Sequence, residues 1–128
     1  MVGRDLGIWA QFRQRLPFPY RGFHFDVSLG TPPADIPHTP PRLMDAWRFL
    51  LSRRIDAVGI LPERWDIIEI RRGAGQAAIG ALRMYAFLWR QDPPDQRPVT
   101  LLLVTDRADL DTIALAQADG IQLIQLAP

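Results

Sequence analysis

Two carboxylates and a guanidinium, Asp56, Glu69 and Arg71, stand in a stretch that is otherwise mostly apolar. The run from Arg54 to Leu61 is rich in branched residues and ends at Pro62, and Asp66 to Arg71 follows after a short turn over Pro62 to Trp65. That pattern predicts two strands folded into a hairpin. Side chains alternate across a strand, so Glu69 and Arg71 share one face and Ile68 and Ile70 the other, while Asp56 goes with Val58 and Ile60. A tightly closed hairpin sets Asp56 opposite or diagonal to Glu69 and Arg71, with Cβ atoms roughly 5 to 8 Å apart. A hard cation such as Mg²⁺ is held by one or two carboxylates and a carbonyl, here that of Ile70. It would activate water, and a cation at position 71 would stabilise the attacking hydroxide and the charge of the transition state. The same residues also make an ordinary cross-strand ion network, and residue types alone leave both readings open.

The net charge of +1 does not announce a nucleic-acid binder, yet all 15 basic residues are Arg. Arg53, Arg54, Arg64, Arg71 and Arg72 crowd the hairpin, and guanidinium groups suit bidentate phosphate contacts. Solvated surface charge is the alternative. Asp106, Asp109, Asp111 and Asp119 gather towards the C-terminus, which makes the field lopsided. Cysteine is absent, so disulfides and thiolate metal sites are excluded. Asn and Lys are absent too, while Arg and Pro abound, as expected of a GC-rich genome and of a thermophilic host. The longest apolar runs, such as Val99 to Val104, are too short to span a bilayer, so a soluble protein without membrane partners is expected.

The elements that must position the three residues can be read in order. Asp5 to Arg15 predicts an amphipathic helix with Ile8, Trp9, Phe12 and Leu16 on one face. Tyr20 to Leu29 predicts a strand, with Phe23, Phe25, Val27 and Leu29 on one side and Arg21, His24, Asp26 and Ser28 on the other. His24 and Asp26 read as a solvent-facing edge in preference to a second metal or acid–base pair. Thr31 to Pro41 holds five prolines, which forbids regular structure and makes a stiff arm, a lid or an inert loop. A helix over Arg42 to Arg53 precedes the hairpin. Gly73 to Gly75 turns into a helix from Gln76 to Arg90 with Ile79, Leu82, Ala86 and Trp89 inward, and this turn lacks the spacing of a phosphate-binding fingerprint. Val99 to Thr105 reads as a strand buried on both faces. Asp106 to Asp119 reads as a helix with Leu110, Ile113 and Ala114 inward, stopped by Gly120, and Ile121 to Leu126 as a last strand. At 128 residues the chain is expected to be one domain, residues 1 to 128.

The segments YRGFHFDVSLG, RRIDAVGILPERWDIIEIRRGAG and AIGALRMYAFLW, over about residues 17 to 126, resemble the PD-(D/E)XK nuclease superfamily, and within it small phage-encoded proteins. The resemblance implies an α/β, restriction-endonuclease-like αβββαβ core with a mixed central sheet flanked by helices. It also implies Asp56 and Glu69 on a metal ion, Mg²⁺ if the site is active, with position 71 completing the site. Two positions depart from the pattern. Arg71 stands where the superfamily has Lys, and an Arg cannot serve as a proton acceptor. Ala81, after Gly80, stands where relatives carry Gln four residues before the retained Tyr85. A chain without Lys gives Arg71 a second explanation in genome-wide residue preference. Together these features imply a phage particle protein of the head-to-tail connector or head-completion type, an oligomer of the virion that contacts DNA, its own copies and other phage structural proteins. The alternative is an active Mg²⁺-dependent DNA nuclease, placed in the host cytoplasm.

Overall fold

The computed structural model describes residues 3–30, 40–43 and 53–126. Its elements are α1 (Gly3–Gln14), β1 (Gly22–Leu29), β2 (Arg53–Ile60), β3 (Trp65–Arg71), α2 (Gln76–Gln91), β4 (Val99–Thr105), α3 (Leu110–Ala118) and β5 (Ile121–Gln125). The helix expected over Arg42 to Arg53 and the Pro-rich stretch fall largely outside the described residues.

The five strands form one sheet in the order β1-β2-β3-β4-β5. β1, β2 and β3 are antiparallel neighbours, and β3, β4 and β5 are parallel. A short turn joins the antiparallel β2 and β3, and the parallel part needs the helical crossovers α2 and α3. Right-handed crossovers place both helices on one face, and they touch each other there, while α1 packs against β3 and β4. The central strands are therefore covered on both sides. That is why Leu101 to Val104 of β4 reads as a continuous apolar run, and why every residue of β3 before Arg71 is buried whatever its polarity.

Two cores result. On the α2 side, Ile55, Val58, Trp65, Ile67, Leu101, Leu103 and Ile121 meet Ile79, Leu82, Ala86 and Trp89. On the α1 side, Ile8, Trp9 and Phe12 cover Ala57, Ile68, Ile70, Leu102 and Val104. Leu16, expected on the buried face of α1, lies beyond the helix end and is exposed. α3 is held at its start by Asp109, whose side chain accepts from the Thr112 N–H at 2.7 Å, a helix cap. Gly120, at φ +70°, ends it in the left-handed conformation that a side chain resists. Thr112 and Ala116 are its inward residues, whereas Leu110 is 84% exposed and Ala114 is exposed. The Asp109 cap starts the helix later than the sequence suggested and rotates Leu110 outward.

β1 departs from its expected alternation. Phe23 packs on the α1 side, and the Trp9 ring stands 4.9 Å from Phe23 and 5.3 Å from Phe25. Val27 and Leu29 instead join the α2-side core. Between the two pairs lies Asp26 at φ +51°, a positive value that no other non-glycine among the described residues adopts.

Candidate metal and phosphodiester site

The β2–β3 ladder runs Ile60↔Trp65, Gly59↔Asp66, Val58↔Ile67 and Ala57↔Ile68 and stops there. Asp56 is the next residue on β2 and Glu69 the next on β3, so the acid pair sits where the two strands part. The Ile70 N–H, which a longer ladder would give to a β2 carbonyl, is taken instead by the Asp56 carboxylate, at 2.8 Å from Oδ2. Glu69 is 3% exposed and is hydrogen-bonded to Asp56 on one side and to the Arg71 guanidinium on the other, at 2.6 Å. The fold thus brings Asp56, Glu69 and Arg71 together. Neighbouring strand positions and a shared direction for residues 69 and 71 are the physical cause.

Burial pushes the Glu69 carboxyl up to about 8, the hydrogen bond and negative charge of Asp56 push the same way, and Arg71 opposes them. With its carboxyl raised so far, Glu69 keeps its proton at neutral pH and can share it with the neighbouring Asp56. Burial disfavours the Arg71 cation, but the hydrogen bond and charge of Glu69 outweigh it and raise its affinity for the proton further. A guanidinium so placed stays charged.

That donor set fits a hard dication, which can replace the shared proton between two carboxylates. Among the described residues no cluster of three or more His, Cys, Asp or Glu side chains is placed to hold a metal. The remaining positions would fall to the Ile70 carbonyl and to water, the usual manner of holding Mg²⁺.

The other sequence-predicted residues scatter. Arg54 lies next to the site on β2, half-buried. Arg53 opens β2 opposite Leu29, its side chain outside the described part. Arg72 is exposed and lies 3.9 Å from Asp106. Arg64 sits beyond the opposite end of β3, roughly 20 Å of strand from Arg71, and is engaged with the buried Asp66 at 2.7 Å and stacked on Phe18. Its sequence neighbourhood to the hairpin turn placed it on the list, and the length of β3 carries it away. Tyr85 of α2 is near enough to interact with the Arg71 charge, while Ala81, one turn earlier, brings no polar group.

Sequence reasoning passed over the loops that support this edge. Gly73 N–H donates to Asp106 at 2.8 Å, and Ala74 N–H donates to the Arg107 carbonyl at 2.9 Å and to Thr105 Oγ1 at 3.1 Å. These bonds tie the β3–α2 and β4–α3 connections together at the carboxyl ends of the parallel strands, where open α/β sheets bind ligands. The signal was present in Thr105, a buried hydroxyl at the end of an apolar strand.

No protein-family model matches the sequence, and no curated protein does. Among solved structures the chain is similar to EndoMS in its complex with double-stranded DNA, at 17% identity and a TM-score of 0.55, over 100% of this chain and 46% of the EndoMS chain. It is also similar to a repair endonuclease from Pyrococcus abyssi, at 19% identity and a TM-score of 0.49, over 59% of this chain and 33% of that one. The chain shares the fold of the matched part of EndoMS. It spans less than half the length of either solved structure. The phage-particle reading of the sequence is overturned: the solved structure that matches over the whole chain is EndoMS in complex with double-stranded DNA, and no match to a connector or head-completion protein supports it. Of the two departures, Arg71 lies against Glu69 at 2.6 Å, and Ala81 leaves the site without the polar group that relatives carry there. Among the described residues no helix is long and apolar enough to cross a membrane.

Proposed function

We propose that this chain is a divalent-metal-dependent nuclease domain that hydrolyses phosphodiester bonds in DNA, with Asp56 and Glu69 holding Mg²⁺ and Arg71 serving the reacting phosphate. The carrying observation is the contact of a buried Glu69 with both Asp56 and Arg71 at the point where β2 and β3 part. DNA as substrate is supported by the nuclease-like fold and by the DNA-bound state of EndoMS.

The ion, when bound, would lower the pKa of a coordinated water and neutralise charge on the phosphate. The protein's own part follows from its geometry. Asp56, fixed by the Ile70 N–H, and Glu69, fixed by Arg71, present oxygens from two strands whose positions are locked by buried neighbours. Water oxygen forms the new bond to phosphorus and gives up its proton to solvent, the bond to the leaving sugar oxygen breaks, and that oxygen takes up a proton from solvent. Arg71 remains protonated throughout, so it stabilises negative charge on the phosphate without relaying a proton. Arg54 and Arg72, on either side, suit contacts to flanking phosphates.

The test is cleavage of supercoiled plasmid by purified protein in Mg²⁺ or Mn²⁺, with EDTA and Glu69→Ala as controls. Metal-dependent nicking that falls by about a hundredfold or more in Glu69→Ala is expected, the size typical of a lost catalytic group. Intact plasmid after prolonged incubation with either metal refutes the reading.

A further inference from the structure

The irregularity at Asp26 and the parting of β2 from β3 lie at one level of the sheet. β1 and β2 pair as Phe25↔Ala57 and Val27↔Ile55, with Asp26 and Asp56 skipped between them and the register unchanged on either side. In both strands the facing of side chains flips there. Val58 and Ile55 both enter the α2-side core although they are three positions apart, and Ala57 faces α1. On β1, Val27 joins the α2-side core while the preceding odd-numbered Phe23 lies against α1. A regular strand cannot do this, and the left-handed backbone of Asp26 at φ +51° supplies the turn. Non-glycine residues adopt that conformation at a cost, and such outliers gather at functional sites. One residue past Ala57 the β2–β3 ladder ends, and the Asp56 carboxylate fills the place a backbone carbonyl would have taken, on the Ile70 N–H.

We infer that Asp26 is a positioning residue: its left-handed backbone kinks the β1–β2 pair, detaches β2 from β3, and thereby turns the Asp56 carboxylate to Glu69 and the Ile70 N–H. This deepens the nuclease reading and rests on it for its catalytic consequence. The role belongs to the backbone of Asp26, so residues that accept positive φ preserve it. Gly does so without steric penalty and Asn with little, whereas a β-branched residue resists it.

The test compares Asp26→Gly, Asp26→Asn and Asp26→Val. Mn²⁺ affinity and plasmid cleavage at saturating metal are expected to stay near wild type in the Gly and Asn variants. In the Val variant Mn²⁺ affinity should fall by roughly tenfold, the equilibrium equivalent of the left-handed penalty on an L residue. A second readout needs no activity: exchange protection of the Ile70 amide by NMR, retained with Gly and reduced with Val. If wild type neither binds Mn²⁺ nor cuts DNA, the nuclease reading fails, while the Ile70 amide still decides the role of Asp26. A Gly variant that loses metal affinity or Ile70 protection overturns the inference, even should the Val variant not fold. So does a folded Val variant indistinguishable from wild type.

Discussion

If Asp56 and Glu69 hold a metal as proposed, the proton on Glu69 makes its binding a pH-dependent exchange. With the Glu69 carboxyl raised to about 8 by burial and by Asp56, a dication entering the site must displace one proton at neutral pH. Each pH unit below 8 therefore weakens apparent Mn²⁺ affinity about tenfold, or about 1.4 kcal/mol, so affinity at pH 6 should be roughly a hundredfold below its plateau. The stability of the metal-free protein runs in the opposite sense. A carboxyl whose value is raised from 4.5 to about 8 on folding binds more proton folded than unfolded. Its contribution is full below about pH 4.5 and is lost as pH climbs towards 8, a change on the order of a few kcal/mol. Isothermal titration with Mn²⁺ at pH 6, 7 and 8, in buffers of different ionisation enthalpy, should count close to one proton released at the two lower values. Glu69→Gln should abolish both the proton release and the pH dependence. Affinity that stays flat from pH 6 to 8 in the wild-type protein would refute the shared-proton account.

Other substitutions separate site from scaffold. Arg71→Lys restores an ammonium at the position, and cleavage is expected to persist with an altered pH profile. Arg71→Ala should lose roughly a hundredfold in rate as Glu69 loses its partner. Asp66 is fully buried and accepts from Tyr20 at 2.5 Å, from Arg64 and from Thr100. Asp66→Ala leaves these partners unpaired, and urea denaturation should show a loss of about 3 kcal/mol, whereas cleavage per folded molecule stays unchanged. Gly59→Ala drives a Cβ into the Tyr20 ring, and a lowered melting temperature relieved by Tyr20→Ala in the double mutant is the expected result. Removing the Asp109 cap with Asp109→Ala should cost about 1 kcal/mol in the same denaturation assay.

The order of strands and helices was legible because each long element carries a local period or a bounded apolar run: Ile79, Leu82, Ala86 and Trp89 recur at helical spacing, and β4 is unbroken apolar from Leu101 to Val104. The hairpin and its acid pair were legible for the same reason, since adjacent strands of known direction leave few places for Asp56 relative to Glu69. Three matters lay beyond local pattern. Asp26 reads as one polar residue in an alternating strand, but its left-handed backbone at φ +51° sends Val27 and Phe23 to opposite cores. Arg64 and Arg71 look like members of one basic cluster, yet a fully extended β3 holds them far apart and gives Arg64 to Asp66. The proton state of Glu69 depends on the helices that exclude water and on a carboxylate from another strand, and no count of residues along the chain contains that distance. Sequence sets what each segment prefers locally. Only the assembled sheet decides where two strands separate, and at that separation Asp56, Glu69 and Arg71 meet.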